Sequence, residues 1–148
     1  MKLIAYLAGP IAGCTDEECK GWRTYVKEQI PEIQFHDPMR RDYRNRDFKS
    51  VETASDIVEN DLADIDESDI VLVYHDRPSV GTSMEVFYAY NEGKYVLTID
   101  KLGVNLSPWM IYHSSEIVKS LEEAIEKLRV WSQDEANTDL QYIQEDIL

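Results

Sequence analysis

Glu85 closes the segment Gly81-Thr82-Ser83-Met84-Glu85, about one turn into a stretch that reads as a helix and just after an apolar strand and a glycine-containing loop. Free backbone N–H groups and the positive end of the helix dipole favour an ionised carboxylate at such a place. A carboxylate held there can attack the anomeric carbon of a sugar and form a covalent glycosyl intermediate. Thr82-x-x-Glu85 is also a capping-box spacing, as are Thr15-x-x-Glu18 and Ser120-x-x-Glu123. The two roles are separable, because a glutamine can cap a helix but cannot act as the nucleophile. Asp61, mid-helix in Glu59-Asn60-Asp61-Leu62, is a second acid. Near a departing base it would supply the proton; otherwise it is an exposed helix acid like Asp56, Glu59 and Asp64.

Tyr6 lies near the end of the first apolar run, Leu3–Leu7, and Ala8 to Gly13 follow it with small residues that include Gly9 and Pro10. Small residues after a strand let backbone N–H groups approach a ligand. Tyr6 itself reads either as core or as part of a site. Ser79, Thr82 and Ser83 make a hydroxyl cluster with Gly81, suited to a phosphate or a sugar hydroxyl, and equally to an ordinary turn and cap. Neither GxGxxG nor GxxxxGK[ST] occurs. His36, His75 and His113 lack any ligand spacing, so no metal and no cofactor is expected.

The elements that must position these groups alternate. Apolar runs at Leu3–Leu7, Ile33–His36, Ile70–Tyr74 and Tyr95–Ile99 read as strands. Helices are predicted over about Asp16–Gln29, Thr53–Ile65, Ser83–Asn91 and Leu121–Trp131. Such alternation predicts a parallel sheet covered by helices on both faces, with ligands at the carboxyl ends of its strands. Residues 1–131 then form one domain. Residues 132–148 are an acidic tail, with Leu140, Ile143 and Ile147 on one face of a short helix. At 148 residues the chain can bury a core without staples. Cys14 and Cys19 fit neither a CxxC nor a zinc framework and read as reduced thiols in a cytoplasmic protein. No run is long enough to span a membrane.

The net charge of −14 argues against a nucleic-acid polymer as partner. Against that background Arg40, Arg41, Arg44, Arg46 and Lys49 crowd one loop with only Asp42 and Asp47 among them. Arg40, Arg41 and Arg44 are candidates for holding a small anion such as a phosphate. The alternative is a solvated loop with internal ion pairs.

Taken together, several segments resemble the nucleoside 2-deoxyribosyltransferase family, which includes related nucleoside 5′-monophosphate N-glycosidases. They are Tyr6-Leu7-Ala8-Gly9-Pro10, Asn60-Asp61-Leu62, Asp66 to Val73, Gly81 to Val86, Gly93 to Leu97 and Asn105-Leu106-Ser107, in matching order over about Leu3 to Val130. The G-T-x-x-E element is the most specific. The resemblance implies a flavodoxin-like (Rossmann-like) fold of about five strands and a double displacement at the N-glycosidic bond of a nucleoside or its 5′-monophosphate. Glu85 would be the nucleophile, Tyr6 would position it, and Asp61 would handle the proton on the base. It also implies a homodimer or larger homo-oligomer in which Asn105 to Ser107 complete a neighbour's pocket. Transferases of the family usually carry Asp six residues before the nucleophile; the nucleotide hydrolases carry Ser, as here at Ser79. A hydroxyl beside a phosphate avoids the repulsion a carboxylate would bring. Ser107 matches a second phosphate-binding serine. Pro10 and Ala12, however, stand where those hydrolases usually have Ser and Arg. Two further readings fit the same residues: a non-catalytic nucleotide-binding or sensing module, and an interaction protein in which Glu85 merely caps a helix.

Overall fold

The computed structural model describes the backbone over residues 2–46, 50–103 and 105–147, and side chains up to residue 135. Lys49 and the side chains of Leu140, Ile143 and Ile147 lie outside the described residues. Five parallel strands form one sheet: β1 (Ile4–Ala8), β2 (Gln34–His36), β3 (Ile70–His75), β4 (Tyr95–Asp100) and β5 (Glu116–Val118). Their order, β2-β1-β3-β4-β5, is the flavodoxin-like one. It reverses between β1 and β3, which opens a crevice at the carboxyl ends of these two strands. Four of the strands follow the apolar runs of the sequence. The fifth has three residues, too few to show a pattern.

Strand alternation sorts the core into two layers. Ala5 and Leu7 of β1 face Trp22, Val26 and Ile30 of α1 (Trp22–Gln29) and Ala124, Ile125 and Leu128 of α5 (Leu121–Ile147). Tyr6 and Ala8 face the other way, among Ile65 of α2 (Val51–Asp66), Val86 and Ala89 of α3 (Val80–Asn91) and Met110 of α4 (Pro108–Tyr112). Tyr6 is therefore on the face that α2 and α3 cover, the helices that carry Asp61 and Glu85.

One capping box forms in full at Thr15/Glu18, and half of a second at Ser120/Glu123. Thr15 N–H donates to Glu18 Oε1 at 3.0 Å and Glu18 N–H donates to Thr15 Oγ1 at 3.2 Å. Glu123 N–H donates to Ser120 Oγ at 3.2 Å. The third does not form. Helix α3 starts three residues early, with Ser79 as its N-cap accepting from Thr82 N–H at 3.3 Å. Thr82 becomes an inner residue and Glu85 sits nearly two turns in, too deep to cap anything. The tail also differs from expectation: α5 runs unbroken from Leu121 to Ile147, so the acidic segment continues a long helix. No helix among the described residues is long and apolar enough to cross a membrane.

Candidate active site

At the crevice lies a cavity of about 230 Å³ lined by the β1 loop, the β2 loop, α2 and the start of α3. Asp61 and Ile57 of α2 face Ser79, Gly81, Thr82 and Glu85 of α3 across it. Gly9, Arg41, Tyr43 and Arg44 contribute to its walls. Of the expected substrate-binding residues, Gly9, Ser79, Gly81 and Thr82 are thus brought together. Pro10 is buried outside the lining. Asn105 and Ser107 lie on the β4–α4 loop and do not line this cavity. Asn105 adopts a left-handed φ of 52° there, and Ser107 caps α4 by accepting from Trp109 N–H at 3.2 Å.

Glu85 lines the cavity while its carboxyl is enclosed: Oε2 is buried and has no hydrogen-bond partner. Burial raises its pKa to about 8; the adjacent Tyr6 hydroxyl opposes the rise, Asp61 adds to it and Arg23 offsets it. The ionised state expected from the helix N-terminus is not the resting one near neutral pH. Desolvation outweighs the dipole, which acts only within the first turn. The Tyr6 hydroxyl is fully buried beside Glu85 and steadies its charged form, although neither atom reaches full hydrogen-bond geometry. Burial raises the Tyr6 pKa too, and the nearby Glu85 and Asp61 push it the same way. Buried polar atoms without partners carry a stability cost, and Tyr6 Oη, Glu85 Oε2 and Arg41 Nε concentrate that cost in one site.

Asp61 is not the exposed helix acid its polar neighbours suggested; its side chain is 17% exposed. Burial raises its pKa, and Arg41, with Nη2 at 3.3 Å from Oδ1, pulls it back. The same Arg41 nitrogen donates to Asp64 at 2.6 Å, and Arg40 Nη2 donates to the other Asp64 oxygen at 2.7 Å. Arg44 is held by Asp42 at 2.7 Å, Asp16 at 2.5 Å and the Cys14 carbonyl at 3.1 Å. The arginines of this loop are engaged by the protein's own acids, and Arg40 does not line the cavity.

Sequence reasoning missed Tyr43, whose hydroxyl accepts from Asn60 Nδ2 at 3.0 Å at the cavity wall. It also missed Arg23, a fully buried guanidinium behind the β1 loop. The signal for Arg23 was available: it falls on the stripe Cys19, Trp22, Val26, Ile30, where a charge is out of place. Gly9 is required by contact, since a Cβ there would lie 2.9 Å from the Trp22 ring and 3.3 Å from the Tyr74 carbonyl oxygen.

Comparison with solved structures finds the same fold in a 2-deoxyribosyltransferase from Bacillus psychrosaccharolyticus. The identity is 21%, the TM-score 0.68, and the match covers 82% of this chain and 90% of the other. A conserved protein from Enterococcus faecalis aligns at 14% identity and a TM-score of 0.69, covering 87% and 98%. A CMP N-glycosidase from Clostridium botulinum, BcmB, aligns at 16% and 0.57, covering 85% and 98%. No curated protein matches by sequence. The family description for nucleoside 2-deoxyribosyltransferase matches residues 5–122, a stretch that contains every cavity residue. With it goes an enzyme class that works on small nucleosides or nucleotides at the N-glycosidic bond. The chain belongs to the nucleoside 2-deoxyribosyltransferase family.

Proposed function

We propose that the protein cleaves the N-glycosidic bond of a (2′-deoxy)nucleoside or its 5′-monophosphate through a covalent glycosyl-Glu85 intermediate. One observation carries this reading: Glu85 and Asp61, from separate helices, face one cavity at the strand-order reversal, with the Tyr6 hydroxyl against Glu85. Ionised Glu85 attacks the anomeric carbon; the C–O ester bond forms as the C–N bond breaks. Asp61, whose burial favours the protonated form, gives its proton to the departing base. Water or a second base then takes the sugar from Glu85, its proton passing to Asp61 and the Glu85 carboxylate returning. Tyr6 orients Glu85 and favours its charged form.

The 5′ end of the substrate lies toward Ser79 and Gly81. First-turn N–H groups of a helix lack intrahelical partners and suit a phosphate, and no carboxylate stands at position 79 to repel one. This feature, rather than the Arg-rich loop, supports a nucleotide. The engagement of Arg41 and Arg44 by Asp61, Asp64, Asp42 and Asp16 favours the second reading, a free nucleoside. A second copy of the chain completes the pocket with its own Asn105 and Ser107. That assignment is supported by their not lining this cavity and by the apolar surface beside α3, where Val80, Met84 and Trp109 are 79%, 65% and 71% exposed.

Base release from paired nucleosides and 5′-monophosphates, with and without an acceptor base, tests the reading. Release should occur, should favour one member of each pair, and should stop in Glu85→Gln with the circular-dichroism spectrum unchanged. Undiminished release from that variant would remove Glu85 from the mechanism. Tight nucleotide binding with no release at any pH would make the protein a binding module instead.

A further inference from the structure

Arg23 is a cation buried where α1 should be apolar, and its contacts are specific. Nε donates to the Leu7 carbonyl at 3.2 Å, Nη2 donates to the Gly9 carbonyl at 3.1 Å, and Nη1 donates to the Cys19 carbonyl. The guanidinium lies 4.6 Å from the Trp22 ring centroid. Its nearest carboxylate, Asp37 Oδ1, is 3.8 Å away and is shared with Lys27, which binds the other oxygen at 2.6 Å. A fully buried charge is expensive unless paired and hydrogen-bonded. Here the pairing is loose, and two of its three hydrogen bonds go to the strand end that follows Tyr6.

Resting on the Glu85 reading above, the geometry points to Arg23 as a positioning residue. It clamps Leu7–Gly9, the end of β1 and the start of its loop, and so holds Tyr6 against Glu85, and it supplies the buried positive charge facing the acidic cluster of the site. Among the described residues, the groups acting on Glu85 are Tyr6 from β1, Asp61 from α2 and the cation Arg23 from α1, while Arg41, which lines the same cavity, is paired with Asp61 and Asp64. Around Arg23 itself are Asp37, Tyr6, Glu85 and the Cys19 thiol. Tyr6 and Asp61 feel the same charge, which lowers the proton affinity of both. The clamp and the field are separable. A lysine keeps the charge but cannot reach three carbonyls in a fixed fork. A methionine keeps the volume and removes both.

The test compares the wild type with Arg23→Met and Arg23→Lys. The Glu85 carboxyl is titrated directly by 13C NMR, assigned by its loss in Glu85→Gln, and base release is followed against pH. In Arg23→Met the Glu85 titration and the limb of the kcat/KM profile that tracks it should both move up by about one pH unit or more. In Arg23→Lys the titration should stay within a few tenths of a unit while kcat falls about tenfold or more and KM changes little. A purely structural role would lower stability in both variants and leave the titration where it is; that result would overturn the proposal. Should Arg23→Met fail to fold, Arg23→Lys decides: kcat equal to wild type, or a titration displaced despite the retained charge, would likewise overturn it. The NMR titration needs no turnover, so a wrong role for Glu85 would show as activity in Glu85→Gln without touching the result for Arg23.

Discussion

At the scale of single residues, the site turns on where one proton sits. With a pKa of about 8, Glu85 is neutral in most molecules at neutral pH, yet the proposed attack on the sugar needs the anion. The mechanism also needs the proton on Asp61, so kcat/KM for base release should follow a bell whose limb near pH 8 is set by Glu85 and whose other limb is set by Asp61; a rate profile from about pH 5 to about pH 9 checks this. The same proton links to stability. An unfolded glutamate titrates at about 4.3, so the folded state binds the extra proton between there and about 8. Its stabilising contribution is complete below the unfolded value and is lost as pH rises through the folded one. Glu85→Gln is neutral at every pH. Relative to wild type it should gain stability steadily across that window, reaching a few kcal/mol, and then level off. Urea denaturation at low and high pH reads the difference; a constant offset between the two proteins would mean that the carboxyl is not held neutral.

At the scale of elements, the start of α3 does two jobs through Ser79, which caps the helix and lines the cavity. Ser79→Ala should cost about 1 kcal/mol in thermal or urea unfolding. It should also raise KM more for a 5′-monophosphate than for the matching nucleoside. The β1 turn is pinned from behind. Gly9→Ala puts a methyl against the Trp22 ring, which itself stacks on Tyr74 at a centroid distance of 4.9 Å, and against the Tyr74 carbonyl. Neither partner gives way easily, so a loss of about 1–3 kcal/mol is expected, measurable by denaturant unfolding. Gly81 is different: nothing lies within 4 Å of a Cβ built there. Its smallness keeps the cavity open without being demanded by the fold.

At the scale of the whole molecule, apolar surface is concentrated beside the candidate site. Met84 and Phe87 of α3 and Trp109 of α4 line a second depression of about 580 Å³. The Phe87, Tyr90, Trp109 and Tyr112 rings surround His113 with centroids 4.8–6.1 Å from it. A chain of net charge −14 would gain solubility from covering such a face with a second copy. Replacing Met84 and Trp109 together by serine should shift the protein toward monomer in sedimentation velocity. In the proposed assembly base release should fall with it, because Asn105 and Ser107 would no longer reach a neighbouring site.

The layered parallel sheet was legible in the sequence because it depends on local periodicity: four apolar runs separated by amphipathic helices admit little else. The family was legible for a related reason, since its motifs fall at the strand ends where such a sheet must bind. The state of the site was not. Thr82 and Glu85 have capping-box spacing, and only the position of Ser79 at the true helix start removes Glu85 from that role. The Arg-rich loop had the composition of an anion site, but ion pairs 20 to 28 residues apart, Arg41 with Asp61 and Arg44 with Asp16, show what it holds. The charge of Glu85 is decided by β1, α1 and α2 together, through Tyr6, Arg23 and Asp61. Desolvation and pairing are properties of neighbours in space. Sequence alone therefore marked Glu85 as the residue to watch, and the tertiary structure decided that its carboxyl rests protonated, enclosed beside a buried cation.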